Sequence, residues 1–464
     1  MKNYLVFTMT ALLLGTSCSS KKEQTEGFTG AQGEVKLITL DPGHFHAALV
    51  QKVSYPQVCK DVYVYAPGGF DADEHLKRIE GFNTRAENPT GWNEIVYTGS
   101  DYLEKMLAEK KGNVMVQAGN NGKKTEYIKK TLDAGINVLS DKPMAINSQN
   151  FQLLEECFDI AKQKNILLYD IMTERNEITT LLQRELSTIP AIYGEQLKGS
   201  PEEPAIVKES VHHLFKLVDN KPLTRPVWYF DVTQQGEGIV DVTTHLVDLV
   251  QWEAFPDQII DYKKDIEFVD ANRWTTSISP EEFKQVTGTD AYPDFLKKDV
   301  ENDTLKVYCN GDIVYKIKGV TAKVSVIWNY TFPEGGGDTH FSVMKGSKAD
   351  LIIRQGKEQG YKPELYIEVL PDIDLAAYEK ELAAAMSTVA DKYPGVALDK
   401  VSDNVWQVQI PASYRVGHEA HFGQVMENYL QYLQDGKLPD WEVPNMIAKY
   451  YVTTHALEMA KAKK

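Results

Sequence analysis

The chain has 464 residues, 42% of them hydrophobic, enough to bury two substantial cores, so two domains are expected. With 50 Lys and Arg against 66 Asp and Glu it carries a net charge of −16, which excludes nucleic acid as a partner, because its phosphates would be repelled. The cysteines Cys18, Cys59, Cys157 and Cys309 show no CxxC spacing, which excludes a disulfide framework or a zinc ribbon; the last three read as small apolar core residues.

Lys2, an apolar run over residues 4–14 and small residues before Cys18 read as an export segment, too short to span a bilayer. Cys18 sits where a bacterial lipoprotein carries its lipidated cysteine, and residues 19–29 form a polar tether. Leu14 lies one position further from the cysteine than in the usual lipobox, so plain signal-peptidase cleavage stays open. The expectation is a leader and tether over residues 1–34, with the protein exported and lipid-anchored to a bacterial membrane. It would face the periplasm or the cell surface and touch the membrane only through the anchor.

From residue 35 short apolar runs alternate with helical stretches: strands at 35–40, 62–65, 95–98, 114–117, 137–140 and 166–169, helices at 47–53, 101–110, 123–134 and 148–163. That rhythm predicts a Rossmann-like, doubly wound parallel sheet over residues 35–172. Beyond it the rhythm changes to long β-rich segments at 304–315, 322–331, 339–345 and 350–354, separated by turns such as Gly335-Gly336-Gly337. Residues 173–464 are therefore expected to form an α+β domain with a large, mostly antiparallel open sheet. Helices at 375–390 and 417–433 follow, with C-terminal helices packing back on the first domain.

Three stretches carry chemistry. The run ending in Asp141-Lys142-Pro143 delivers an ammonium to the carboxyl edge of the parallel sheet, where such folds place ligands. There it can hydrogen-bond a reacting hydroxyl; the other reading is a strand end closed by a salt bridge. The turn Asp41-Pro42-Gly43-His44-Phe45-His46 keeps only the middle glycine of a dinucleotide loop, and Ala66 stands where an acid would hold the ribose. Asp71 or Asp73 substitutes only if the following loop folds back; a nucleotide-type domain that binds no nucleotide is the alternative. In the segment Gly236 to Asp248, Asp241 and His245 are four apart, on one face if the segment is helical, and a carboxylate beside a histidine makes a general base. A surface cap is the plain alternative.

Taken together, these stretches resemble the Gfo/Idh/MocA family of NAD(P)-dependent oxidoreductases over nearly the whole chain after the leader. The resemblance rests on Pro42 to His46, Tyr97 to Tyr102, Val114 to Asn120, Ala134 to Ala145 and Gly238 to Asp248, with Asp141-Lys142-Pro143 matching the family's Glu-Lys-Pro. It implies Lys142, Asp241 and His245 as catalytic residues, His245 being the base that Asp241 orients, with Thr243 replacing a motif glycine. It implies Gly43, His44, Phe45, His46, Asn120, Asp141 and Lys142 around an NAD or NADP cofactor, held tightly in an exported member, and oligomers formed through the open face of the second sheet. The expected function is hydride transfer at a hydroxyl or ketone of a sugar, glycoside or polyol. An NAD-using glycosidase, with Tyr229 or Glu174 removing a carbon-bound proton, and a non-catalytic carbohydrate-binding lipoprotein stay as alternatives.

His212, His213, Glu174 and Trp228 are expected against a carbohydrate substrate. No metal is expected, because no acid/His ligand spacing repeats; His212 or His213 with His245 is the conceivable exception.

Overall fold

The computed structural model describes residues 27–218, 221–332 and 335–463. The expected leader, Cys18 and most of the tether lie outside the described residues. Among the described residues no helix is long and apolar enough to cross a membrane. Phe28 packs on the first core and Glu34 closes a turn on Thr29 and Ala31, so residues 28–34, expected to belong to the tether, are part of the folded body.

The first sheet contains β1 (Leu37–Leu40), β2 (Asp61–Ala66), β3 (Asn93–Thr98), β4 (Val114–Gln117), β5 (Asn137–Asp141) and β6 (Leu168–Ile171). All pairs are parallel, in the order β3-β2-β1-β4-β5-β6. β1, β4, β5 and β6 are buried at every position, as strands covered on both faces must be. The connecting helices are α1 (His46–Leu49), α2 (Phe70–Thr84), α3 (Tyr102–Glu109), α4 (Asn121–Asp133) and α5 (Ser148–Lys164). The strand order reverses between β1 and β4, which opens a crevice at their carboxyl ends. α1 is a single turn rather than the seven residues expected, because His46 turns inward and the chain leaves the helix after Leu49.

In the second half, α6 (Ile178–Ser187), β7 (Ile206–His213), α7 (Val232–Gln235) and α8 (Thr243–Ala254) precede most of the large sheet. That sheet runs Ile266–Ile278, Thr304–Ile317, Val320–Asn329, β7, Thr339–Lys345, Ala349–Gln355, Glu364–Val369, Val405–Gln409, Ala397–Ser402. Its pairs are antiparallel except that β7 runs parallel to Val320–Asn329. The helix His418–Asp435 packs Phe422, Met426 and Tyr429 into the first core. The helix Glu442–Ala462 gives Met446 and Tyr450 to the first core and Ala448, Val452 and Leu457 to the second.

A buried charge network fastens the two halves. Asp248 of α8 accepts from Arg175 Nε and Nη2 at 2.6 and 2.7 Å and from Lys449 Nζ at 2.9 Å. Lys449 also pairs with Asp170 of β6 at 2.8 Å, and Arg175 Nη1 reaches Glu442 at 2.7 Å. Gly238, in the turn before α8, lies against the strand Thr304–Ile317 so closely that a Cβ there would collide with the carbonyl of Cys309. Gly238→Ala is expected to cost about 1–3 kcal/mol or more in urea unfolding, since both colliding groups are backbone or fixed to it.

Candidate active site

The carboxyl end of β5 is pinned from below. Lys124 of α4, fully buried, donates to the carbonyls of Asp141 at 2.8 Å and Lys142 at 3.3 Å, and burial lowers its ammonium to about 8. Lys142 then reaches out to Asp241 Oδ1 at 2.6 Å, in an ion pair with each side chain about nine-tenths buried. Gln235 Nε2 holds the other oxygen of Asp241 at 3.0 Å.

Asp241 does not orient His245 as expected. It lies in the turn ahead of α8, which begins only at Thr243, so the two residues do not share a helix face, and its carboxylate is committed to Lys142 and Gln235. His245 Nδ1 is buried without a hydrogen-bond partner. Burial, and then the Lys142 charge, push its imidazole well below the usual value, so it is neutral at pH 7.

Lys142, Asp241 and His245 line one cavity of about 520 Å³, together with His44, His46 and Asp141 from the first half. The second sheet supplies the opposite wall. His212 stacks on Trp328 with 4.8 Å between ring centres, bonds Asp338 through Nδ1 at 3.3 Å and leaves Nε2 unpartnered. Burial would raise the Asp338 carboxyl, but His212 and Lys216 hold it below the usual carboxylate range. Glu174 also lines the cavity. His213 stands behind the wall, with Nδ1 on Asp338 at 2.9 Å and its carbonyl taking a hydrogen bond from Arg225. The buried Tyr229 hydroxyl is pushed far up, which makes it a poor base for a carbon-bound proton.

Trp228 lies elsewhere than expected. Its Nε1 donates to Asp71 Oδ2 at 2.9 Å, and its ring covers Gly43, where a Cβ would lie 3.1 Å from the indole. It lines a second cavity, of about 370 Å³, with Asp41, Ala66 and Asp71 at the ends of β1 and β2. Glycine at 43 thus makes room for an indole as well as for the neighbouring backbone. The amides of the turn are largely spent: Gly43 and His44 both donate to the carbonyl of Ala118, and His46 to His44 Nδ1. Asp41, at φ 45° where a glycine was looked for, accepts from Tyr127 at 2.9 Å and Tyr102 at 3.3 Å. Asn120 caps α4 and donates to Gln234 at 2.7 Å, which ties it to α7.

Cations stand where the glycine amides are missing. A third cavity, of about 340 Å³, lies over Gly43, His44 and Phe45 and is lined by Lys77 and Arg78 of α2 and by Arg225. Arg225 borders all three cavities, which follow one another from the ends of β1 and β2 to the second sheet. Lys124, Gln235, Arg225, Asp338 and His418 were absent from the expected site. Lys124 sits in a stretch that reads as a solvated helix, and the others are isolated polar residues that only tertiary packing gathers.

His44 and His46 close on Asp141, their Nδ1 atoms 3.8 and 3.0 Å from its Oδ2. The conceivable grouping of His212 or His213 with His245 does not form; among the described residues the three-residue group whose ligand atoms converge is His44, His46 and Asp141.

Residues 182–461 match the family model described as "Putative oxidoreductase C terminal domain". A crystal structure of a "putative oxidoreductase" from Parabacteroides merdae is 87% identical, matches over 95% of this chain and 100% of its own, and has a TM-score of 0.94. Two structures at 12% identity share the fold. A levoglucosan dehydrogenase solved with NADH and levoglucosan covers 93% of this chain and 98% of its own with a TM-score of 0.58. A 3-ketoreductase from Actinomadura kijaniata solved with NADP covers 92% and 97% with a TM-score of 0.55. No curated protein matches the sequence.

Proposed function

This chain belongs to that oxidoreductase C-terminal domain family, and from this premise we propose that it is a nicotinamide-dependent oxidoreductase acting at a hydroxyl-bearing carbon of a sugar, glycoside or polyol. The observation that carries the reading is the buried Lys142–Asp241 pair beside the neutral His245 in one cavity. The donor set suits a dinucleotide: Lys77 and Arg78 would take the pyrophosphate charge, and Lys142 would stand at the nicotinamide end. When bound, that cofactor supplies the hydride acceptor or donor.

The chain's own groups do the rest. The Lys142 ammonium hydrogen-bonds the substrate oxygen and stabilises negative charge developing on it, while Asp241 fixes the ammonium in place. His245, neutral and lining the cavity, accepts the hydroxyl proton in the oxidising direction. Ser210 offers a hydrogen bond to another hydroxyl of a sugar from the opposite wall, where His212 lies stacked on Trp328. The same reading has the protein exported and lipid-anchored, with NAD or NADP held tightly.

The test is a screen of glycosides and polyols, and of their keto forms, with NAD(P)+ or NAD(P)H, followed at 340 nm and by mass spectrometry of the sugar. Absence of a two-hydrogen mass change in every sugar, by cofactor-bound protein, would reject the reading.

A pH profile follows from His245. A base works in its neutral form, and a lowered value keeps it neutral further into acid. The acid limb of kcat/KM is therefore expected below 6.5, the ordinary histidine value, with activity lost as pH falls through the lowered value. Lys142→Met removes one cause of the lowering, so any residual activity should show its acid limb shifted upward, toward 6.5.

A further inference from the structure

We propose that His44, His46 and Asp141 form a site for one divalent transition-metal ion of the zinc type, with open coordination positions facing the cavity of Lys142 and His245. The ligand atoms of the three residues lie within 4.8 Å of one another. The two Nδ1 atoms stand 3.8 and 3.0 Å from the same carboxylate oxygen, and on ligating an ion His44 Nδ1 would give up its long, 3.4 Å hydrogen bond from the His46 amide. Ligands about 2.0–2.1 Å from a tetrahedral ion are about 3.3–3.4 Å apart, so the two distances bracket the value an ion needs. Two imidazoles and one carboxylate are also a ligand set that leaves positions open for water or a substrate oxygen.

A plain hydrogen bond between His46 and Asp141 leaves the carboxylate poorly accounted for. Its side chain is 5% exposed, and Oδ1 is buried without a partner. Neither nearby ammonium neutralises it: Lys124 donates to backbone carbonyls and Lys142 is paired with Asp241. Its side-chain partners among the described residues are the two imidazoles. A buried carboxylate without a countercharge is costly, and a divalent ion supplies that charge. The ligands are also held in advance. His46 packs on Phe422 with 4.6 Å between ring centres, and Lys124 fixes the Asp141 backbone.

This inference does not rest on the nicotinamide reading, and its test uses no cofactor. Tag-free protein is stripped with a chelator, dialysed and titrated with Co2+ by visible absorption and with Zn2+ by calorimetry. The expected result is one ion per chain, with Zn2+ displacing Co2+. His44→Ala and Asp141→Asn are each expected to weaken Zn2+ binding by about 100-fold or more. His455→Ala, on the helix Glu442–Ala462 and outside the cavity, should leave it unchanged. Should Asp141→Asn fail to fold, His44→Ala decides, since that ring is a quarter exposed and its loss removes little packing. Absence of stoichiometric binding, or equal affinity in wild type and His44→Ala, would overturn the proposal.

Discussion

Lys142→Met is expected to lower kcat by about 10²–10³-fold with a smaller change in KM, the effect of removing one preorganised donor from a developing oxyanion. The ammonium is not a free surface charge, because it is about nine-tenths buried and bonded to Asp241 at 2.6 Å. Removing it alone also strands a buried carboxylate, so a loss of activity could reflect a disturbed site. The double variant Lys142→Met/Asp241→Asn separates the two effects. With no ionised partner left, it should regain most of the stability lost by Lys142→Met while staying as inactive. Urea unfolding and initial rates on the same preparations check both statements. Recovery of activity in the double variant would mean that Lys142 only balances Asp241.

The largest stability effect is expected at Asp248. Its carboxylate is buried and shared by Arg175 and Lys449, and together these two cations pull it far below the usual range against the burial that would raise it. Asp248→Asn leaves two buried cations short of a partner and should cost about 3–5 kcal/mol. Lys449 retains Asp170 and Arg175 retains Glu442, which holds the loss within that range rather than above it. Asp248 lies three residues after His245 on α8, so the same variant should also lower kcat by loosening the helix that carries the base. Unchanged stability in Asp248→Asn would show that the network does not join the two halves.

The parallel sheet was legible because its central strands are short, continuous apolar runs, the pattern that burial on both faces demands. β7 was not, because Lys208 and Glu209 interrupt it; Lys208 is nevertheless fully buried, bonded to both oxygens of Glu253 at 2.9 Å. α2 escaped notice because it buries only Ala72, His75 and Ile79, too thin a stripe to give a helical period. The helix Glu442–Ala462 escaped for the opposite reason, since it is buried against two cores and shows no single apolar face.

The site divides along the same line. Lys142, Asp241 and His245 could be named from their motifs, and they do meet in one cavity. What spacing could not show is that Asp241 pairs with Lys142 instead of His245, because α8 starts two residues later than a continuous helix would require. Trp228 could not be placed either, since its position over Gly43 depends on how the segment before α7 crosses the first half.

The central claim, that the site holds a nicotinamide dinucleotide, is tested most directly by denaturing freshly purified protein and identifying the released small molecules by mass spectrometry, with NAD+ and NADP+ titrated into any protein that releases none. Release of one equivalent of NAD(H) or NADP(H), or saturable binding that weakens in Arg78→Ala, is the predicted result. No release and no binding of either dinucleotide would contradict it.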